Sequence, residues 1–305
     1  MGLNLPLVTL FQAPTVELLA KIIRGKSWNA GWSSLVPIQA GGSKPPLFFV
    51  HGAGGNVLLY RELALHLGND QPFYGLQAQG LDGRKPPYTS FEDMATHYVK
   101  EVRSLQPEGP YYLGGYCLGG AIALEMAQQL VSQRHEVALL AMVETYNFSS
   151  APAVLPFYYS RRLQNLMFHW QNLWTLPMRD KLAFFSKKSR TEFERAKLKL
   201  IIALSRLAQK FKWSTHEKYP HIDLAKANDK AHFNYVPKSY NGQITLLRPK
   251  EHFVGRNQYD FGWREVAQKG VEVRILQVYP RGSLVEPFVR ELARQLENCI
   301  ERTLK

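Results

Sequence analysis

The chain has 305 residues, 45% of them hydrophobic and 12% aromatic; this excludes a disordered chain and suits one catalytic domain of roughly 200–250 residues with an insertion or small appendage. Its two cysteines, Cys117 and Cys299, are too few for a disulfide framework. The net charge of +13 is uneven, because residues 161–212 hold thirteen Lys and Arg against three Asp and Glu, the pattern of a solvated helical face or of a docking surface for an acidic partner. No nucleic-acid-binding motif accompanies that charge, no stretch approaches the ~18 consecutive apolar residues of a membrane span, and no basic-then-apolar leader opens the chain. The expectation is a cytoplasmic protein with neither nucleic acid nor membrane as partner.

In chain order, residues 7–23 read as a turn and a short helix. Its apolar face (Val16, Leu18, Leu19, Ile22 and Ile23) needs a partner. The following stretch to residue 45 is rich in Gly, Ser and Pro and reads as a linker. Apolar runs of strand type come next at 47–51, 73–77, 110–116 and 137–143, with helical stretches near 58–68, 91–106 and 118–134 between them. This alternation predicts an α/β fold with a parallel sheet covered by helices on both faces. It stops near residue 150. Residues 153–235 are mostly helical, basic and aromatic, and the alternation returns at 242–249 and 271–278 before a last helix over 284–304. A helical insertion of this kind, about 150–236, is a lid candidate, and lids exclude water from the sites they cover. Cys299 falls in line with Leu292 and Leu296 on the last helix and reads as packing.

The chemistry points to Gly115-Tyr116-Cys117-Leu118-Gly119, a G-x-C-x-G elbow between a predicted strand and a predicted helix. A sharp turn holds the nucleophile at the top of the sheet, and small neighbours let strand and helix approach closely. The N–H of Leu118 points into the site. The helix N-terminus is expected to lower the Cys117 thiol pKa below its free value of ~8.5. A second motif, His51-Gly52-Ala53-Gly54-Gly55, follows the first clear strand. Its loop can turn the Ala53 N–H toward an acyl oxygen, and with Leu118 that makes two oxyanion donors. Metal chemistry has little support, since neither H-E-x-x-H nor paired C-x-x-C occurs.

The segments FFVHGAGGN, GLQAQGLDG and PYYLGGYCLGGAIALEMAQQL resemble the type I thioesterase domains of nonribosomal peptide synthetases and polyketide synthases. The likeness covers roughly residues 36–300. It implies an α/β-hydrolase sheet with a helical lid, no cofactor bound directly, and a substrate delivered on the phosphopantetheine of an acyl or peptidyl carrier-protein domain. Acidic carriers suit a positive lid. Residues 1–24 (with LPLVTLFQAPTVELLAKII) resemble the end of a carrier-protein domain, so that 25–45 is a linker and 46–305 the thioesterase-like domain. The chain then reads as a terminal fragment of a larger polypeptide with an introduced Met1.

Three positions depart from the family pattern. Cys117 stands where serine is usual. Glu144, in Val143-Glu144-Thr145-Tyr146, takes the place of the triad acid, where it orients a base or holds a cation. Pro280 falls where the catalytic histidine is expected, ahead of Glu286-Pro287. His252 is the first candidate for a replacement base, because the loop after the 242–249 strand reaches the active-site edge in α/β hydrolases. His51 is second, though it more naturally braces the oxyanion loop. Tyr279 and Arg281 lie near the lost histidine, and Arg281 favours a thiolate by charge.

A thiol makes the lost base tolerable, since a cysteine with depressed pKa is a thiolate beforehand. The leading expectation is chain-releasing acyl transfer through a Cys117 acyl-enzyme, ending in cyclisation or other non-hydrolytic release, or in hydrolysis. A Dieckmann-type carbon–carbon cyclase and a non-catalytic binding module with a degenerate triad are the alternatives.

Overall fold

Seven strands form one sheet among the described residues: β1 Leu35–Gln39, β2 Leu47–Val50, β3 Phe73–Leu76, β4 Tyr111–Tyr116, β5 Val137–Val143, β6 Ile244–Pro249 and β7 Val271–Leu276. The computed structural model describes residues 33–83, 85–147, 149, 220–250, 259–278 and 280–304, with positions 20, 24, 181, 189 and 193. The strand order is β1-β3-β2-β4-β5-β6-β7. β1 runs antiparallel to β3, and the other pairs are parallel. β2 and β6 are buried at every position, as parallel strands covered on both faces must be.

The covering helices are α1 Arg61–His66, α2 Phe91–Leu105, α3 Leu118–Ser132, α4 Pro220–Asn234 and α5 Val289–Thr303. On one face Tyr98 and Val102 of α2 pack with Ile122 and Met126 of α3. On the other, Leu63 of α1 meets Leu292 and Leu296 of α5. Cys299 is buried in that second cluster, in line with its reading as packing. Ser90 caps α2 by accepting the Asp93 N–H at 3.1 Å. Among the described residues no helix is long and apolar enough to cross a membrane.

The linker reading needs correction over Leu35–Gln39, which is β1. The Gly, Ser and Pro around it obscure a short apolar run, and Pro37 is tolerated because β1 is an edge strand. Of the predicted lid, α4 lies within the described residues. Apart from the isolated positions given above, residues 150–219 lie outside them, as do residues 1–32, which include the predicted carrier remnant.

The chain leaves β2 for β3 on one side and returns to β4 on the other. The strand order therefore reverses at the β2/β4 junction. Crevices outside the carboxyl ends of strands at such a point are where α/β sheets bind ligands. The loop after β2 and the turn after β4 meet there.

Candidate active site

Cys117 alone connects β4 to α3, and it does so with φ 58° and ψ −121°. A positive φ on a non-glycine residue costs roughly 1–3 kcal/mol and persists only when its surroundings over-determine it. They do so here. The Cys117 N–H donates to the Val143 carbonyl at 2.9 Å, and the Gly120 N–H donates to the Cys117 carbonyl at 3.3 Å. Beneath the turn the buried Tyr60 hydroxyl accepts the Tyr116 N–H at 3.0 Å and donates to the Val50 carbonyl at 2.5 Å. A Cβ on Gly115 would overlap the Gly119 carbonyl and reach within 2.7 Å of the Gly120 nitrogen. That close approach is why the flanking positions are glycine.

The Cys117 thiol is half-buried. Burial pushes its pKa up, the Leu118 N–H beside it pulls it down, Glu144 raises it, Arg281 lowers it and Asp229 raises it. The net direction is upward, which corrects the expectation of a depressed thiol. The helix N-terminus does act in the expected sense, through Leu118, but desolvation outweighs it.

The His51–Gly55 loop is braced from below. His51 is fully buried, with Nδ1 at 2.8 Å from the Gly52 carbonyl and Nε2 at 2.8 Å from the Tyr98 hydroxyl. A carbonyl only accepts, so Nδ1 carries the proton and Nε2 accepts from Tyr98. Burial lowers the His51 pKa to about 4. Both ring nitrogens are thus engaged by the scaffold, and His51 is a brace. The Gly55 N–H donates to the Gly52 carbonyl at 2.9 Å, and Asn228 of α4 donates through Nδ2 to the Ala53 carbonyl at 3.0 Å.

Glu144 lies one residue beyond the Tyr116–Val143 ladder pair, on the strand beside the elbow. Its φ is 48° and its side chain is buried. One carboxylate oxygen accepts the Ser283 hydroxyl at 2.5 Å and the Ser283 N–H at 3.3 Å. The other accepts the Arg281 N–H at 2.5 Å. Burial raises the Glu144 pKa, while the bonds from Ser283 and Arg281 and the Arg281 charge oppose the rise. Among the described residues, the Glu144 hydrogen bonds run to the turn after β7.

Residues 45–278 match the family described as thioesterase domain. The chain belongs to the thioesterase domain family. Over 146 residues it is 43% identical to a dimodular nonribosomal peptide synthase of Bacillus subtilis (strain 168), covering 48% of this chain and 6% of that protein. A four-domain nonribosomal peptide synthetase bound to AMP and glycine is similar in structure over 97% of this chain and 22% of its own, at 24% identity and a TM-score of 0.65. The NocB thioesterase domain, in covalent complex with a fluorophosphonate nocardicin G analog, is similar over 90% of this chain and all of its own, at 22% identity and a TM-score of 0.59. The chain thus spans a small part of the multidomain protein it matches in sequence, and the structural likenesses speak to its α/β-hydrolase fold.

In this thioesterase domain the strand ends bring Cys117, Leu118, the Ala53 loop and Glu144 to one edge of the sheet. His252 and Tyr279 lie outside the described residues. Pro280 is buried, and Arg281 is exposed with φ 67°. The Glu286 that precedes Pro287 is bonded to His66 at 2.6 Å. Three residues of the site escape sequence reasoning: Tyr60, Asn228 and Ser283. Tyr60 sits in an apolar stretch, Asn228 in a helix far along the chain and Ser283 in a turn, and no local pattern marks any of them. A cavity of about 560 Å³ lined by Val137, Gly242 and Thr303 lies at the opposite, amino-terminal edge of the strands and takes no part in this site.

Proposed function

We propose that this thioesterase domain releases chains by acyl transfer through a Cys117 thioester. The single observation that carries the reading is the strained Cys117 turn at the head of α3, on the carboxyl edge where the strand order reverses. The substrate is an acyl or peptidyl thioester on the phosphopantetheine of a carrier-protein domain, and the multidomain synthases among the relatives support that choice. The Cys117 sulfur attacks the acyl carbonyl carbon, and the bond to the pantetheine sulfur breaks. The proton lost by the Cys117 thiol leaves on the pantetheine thiol. The Ala53 and Leu118 N–H groups hold the oxyanion between these steps.

Exchange of one thioester for another keeps the acyl group activated, whereas transfer to serine would yield a more stable oxoester. That favours closure by an internal nucleophile over attack by water. Glu144 holds the Arg281–Ser283 turn and so keeps the Arg281 charge within reach of the sulfur. His252, on the loop after β6, is the proposed base for the thiol proton. The domain acts without a cofactor of its own, and residues 1–24 are the end of the carrier that precedes it.

A second reading, a binding module that holds a chain without processing it, draws on the raised thiol and the engaged Glu144. One experiment separates the two. Incubation with an acyl N-acetylcysteamine thioester, followed by intact-protein mass spectrometry, is expected to give an adduct that Cys117→Ala abolishes. Free acid is expected to accumulate slowly beside it. No adduct favours the binding module, and rapid hydrolysis overturns the non-hydrolytic release.

A further inference from the structure

We propose that Asn228 is a positioning residue for acyl transfer, fixing the His51–Gly55 loop in the form that presents the Ala53 N–H to the acyl oxygen. The inference rests on the reading of Ala53 as an oxyanion donor and adds the residue that keeps it one.

Asn228 is fully buried on α4, 175 positions along the chain from the carbonyl it holds. Its Nδ2 donates to the Ala53 carbonyl at 3.0 Å, while its Oδ1 is buried without a hydrogen-bond partner among the described residues. A buried amide oxygen left unpaired costs roughly 1–3 kcal/mol, whereas an apolar side chain of the same size incurs no such penalty. Stability alone therefore disfavours asparagine here. What the residue supplies is the one bond to the loop.

That bond acts on the middle of the loop, between the Gly52 and Gly55 carbonyls that other bonds already hold. Ala53 is flanked by Gly52 and Gly54, whose backbones resist rotation least. Fixing the Ala53 carbonyl fixes the following peptide plane and restricts the residue whose N–H is to meet the oxyanion. One turn earlier on α4, Leu224 packs on the far end of the loop, where a Cβ on Gly55 would come within 2.5 Å of Leu224 Cδ2. The helix therefore grips the loop at two points. α4 also closes the predicted lid, so whatever seats α4 also sets the donor.

The test compares Asn228→Leu and Asn228→Asp with the unsubstituted chain in two reactions at Cys117. Acylation by an acyl N-acetylcysteamine thioester builds charge on the carbonyl oxygen. Alkylation by iodoacetamide displaces iodide from a saturated carbon and builds none. Both variants are expected to slow maximal acylation by about 10–100-fold with little change in half-saturating thioester, and Asn228→Leu, which adds no charge beside the thiol, to leave alkylation within about twofold. Asn228→Leu removes the unpaired oxygen and also the bond to the Ala53 carbonyl, so the two effects offset and Tm is expected to change little. Asn228→Asp keeps the shape of the side chain and loses the donor. Acylation at the unsubstituted rate in both variants overturns the proposal, as does a loss that alkylation and Tm share. If the unsubstituted chain forms no Cys117 acyl adduct, the underlying acyl-transfer reading fails and takes this proposal with it.

Discussion

Glu144 accepts the Ser283 hydroxyl at 2.5 Å through one carboxylate oxygen, and the other oxygen takes the Arg281 N–H. The acid beside the elbow thus anchors the turn after β7. Burial raises its pKa and the Ser283 hydroxyl is foremost among the groups that oppose the rise. Ser283→Ala should therefore raise the pKa further. A carboxyl whose folded pKa exceeds its unfolded value loses stability as pH climbs through the folded value. The expected deficit of Ser283→Ala is about 2 kcal/mol at pH 7 and smaller at pH 4, read from denaturant unfolding at each pH. Equal deficits at both would mean that the Glu144 charge does not depend on this bond.

The raised Cys117 thiol predicts a pH profile for alkylation. Only the thiolate reacts, so the iodoacetamide rate should climb about tenfold per unit from pH 6 to pH 8 without a plateau. Arg281→Gln removes a charge that lowers the thiol pKa and should slow the reaction at pH 7 by less than about tenfold, since Arg281 is exposed and its field is screened. A plateau below pH 7 would mean a preformed thiolate and would contradict the dominance of burial.

His51 predicts acid sensitivity. Its pKa falls from 6.5 to about 4 on folding. Between those values the unfolded chain takes up the proton and the folded chain does not, so stability is full above pH 6.5 and declines as pH falls toward 4. The His51 contribution to that decline is about 3 kcal/mol from pH 7 to pH 4. His51→Gln should lower stability at pH 7, because the Tyr98 and Gly52 contacts change, yet flatten the slope between pH 7 and pH 4. An unchanged slope in unfolding titrations would show that His51 is not the titrating group.

The sheet and the elbow were legible because each carries a local signature. Parallel strands buried on both faces leave apolar runs such as Leu47–Val50, and the Gly115–Gly119 pentapeptide is dictated by the close packing of strand on helix. β1 was missed because a five-residue edge strand between glycines has too little periodicity to stand out. The thiol's direction was missed because a helix N-terminus can be read from sequence, whereas desolvation depends on everything packed around the sulfur. The partners of Glu144 were missed for a similar reason. Its place after β5 is local, but what it bonds arrives 137 and 139 positions later from the turn after β7.

That long-range engagement makes a prediction about placing a histidine at position 280, where the family resemblance leads one to expect it. If the family position were merely vacant, Pro280→His should rebuild a Cys–His–Glu triad and accelerate thioester hydrolysis, since triad members are together worth about 10⁴ or more. Here both Glu144 oxygens are already bonded to the turn that follows position 280, and Pro280 is itself buried. A histidine placed there would have to compete with Arg281 and Ser283 for the Glu144 carboxylate. Pro280→His alone is therefore expected to change the hydrolysis of an acyl N-acetylcysteamine thioester by no more than about tenfold. Pairing it with Ser283→Ala releases one carboxylate oxygen from the hydroxyl, and the pair should hydrolyse faster than either single variant. A thousandfold gain from Pro280→His alone would show that Glu144 gives up its turn readily, and that its bonds to Arg281 and Ser283 are no barrier to orienting a base.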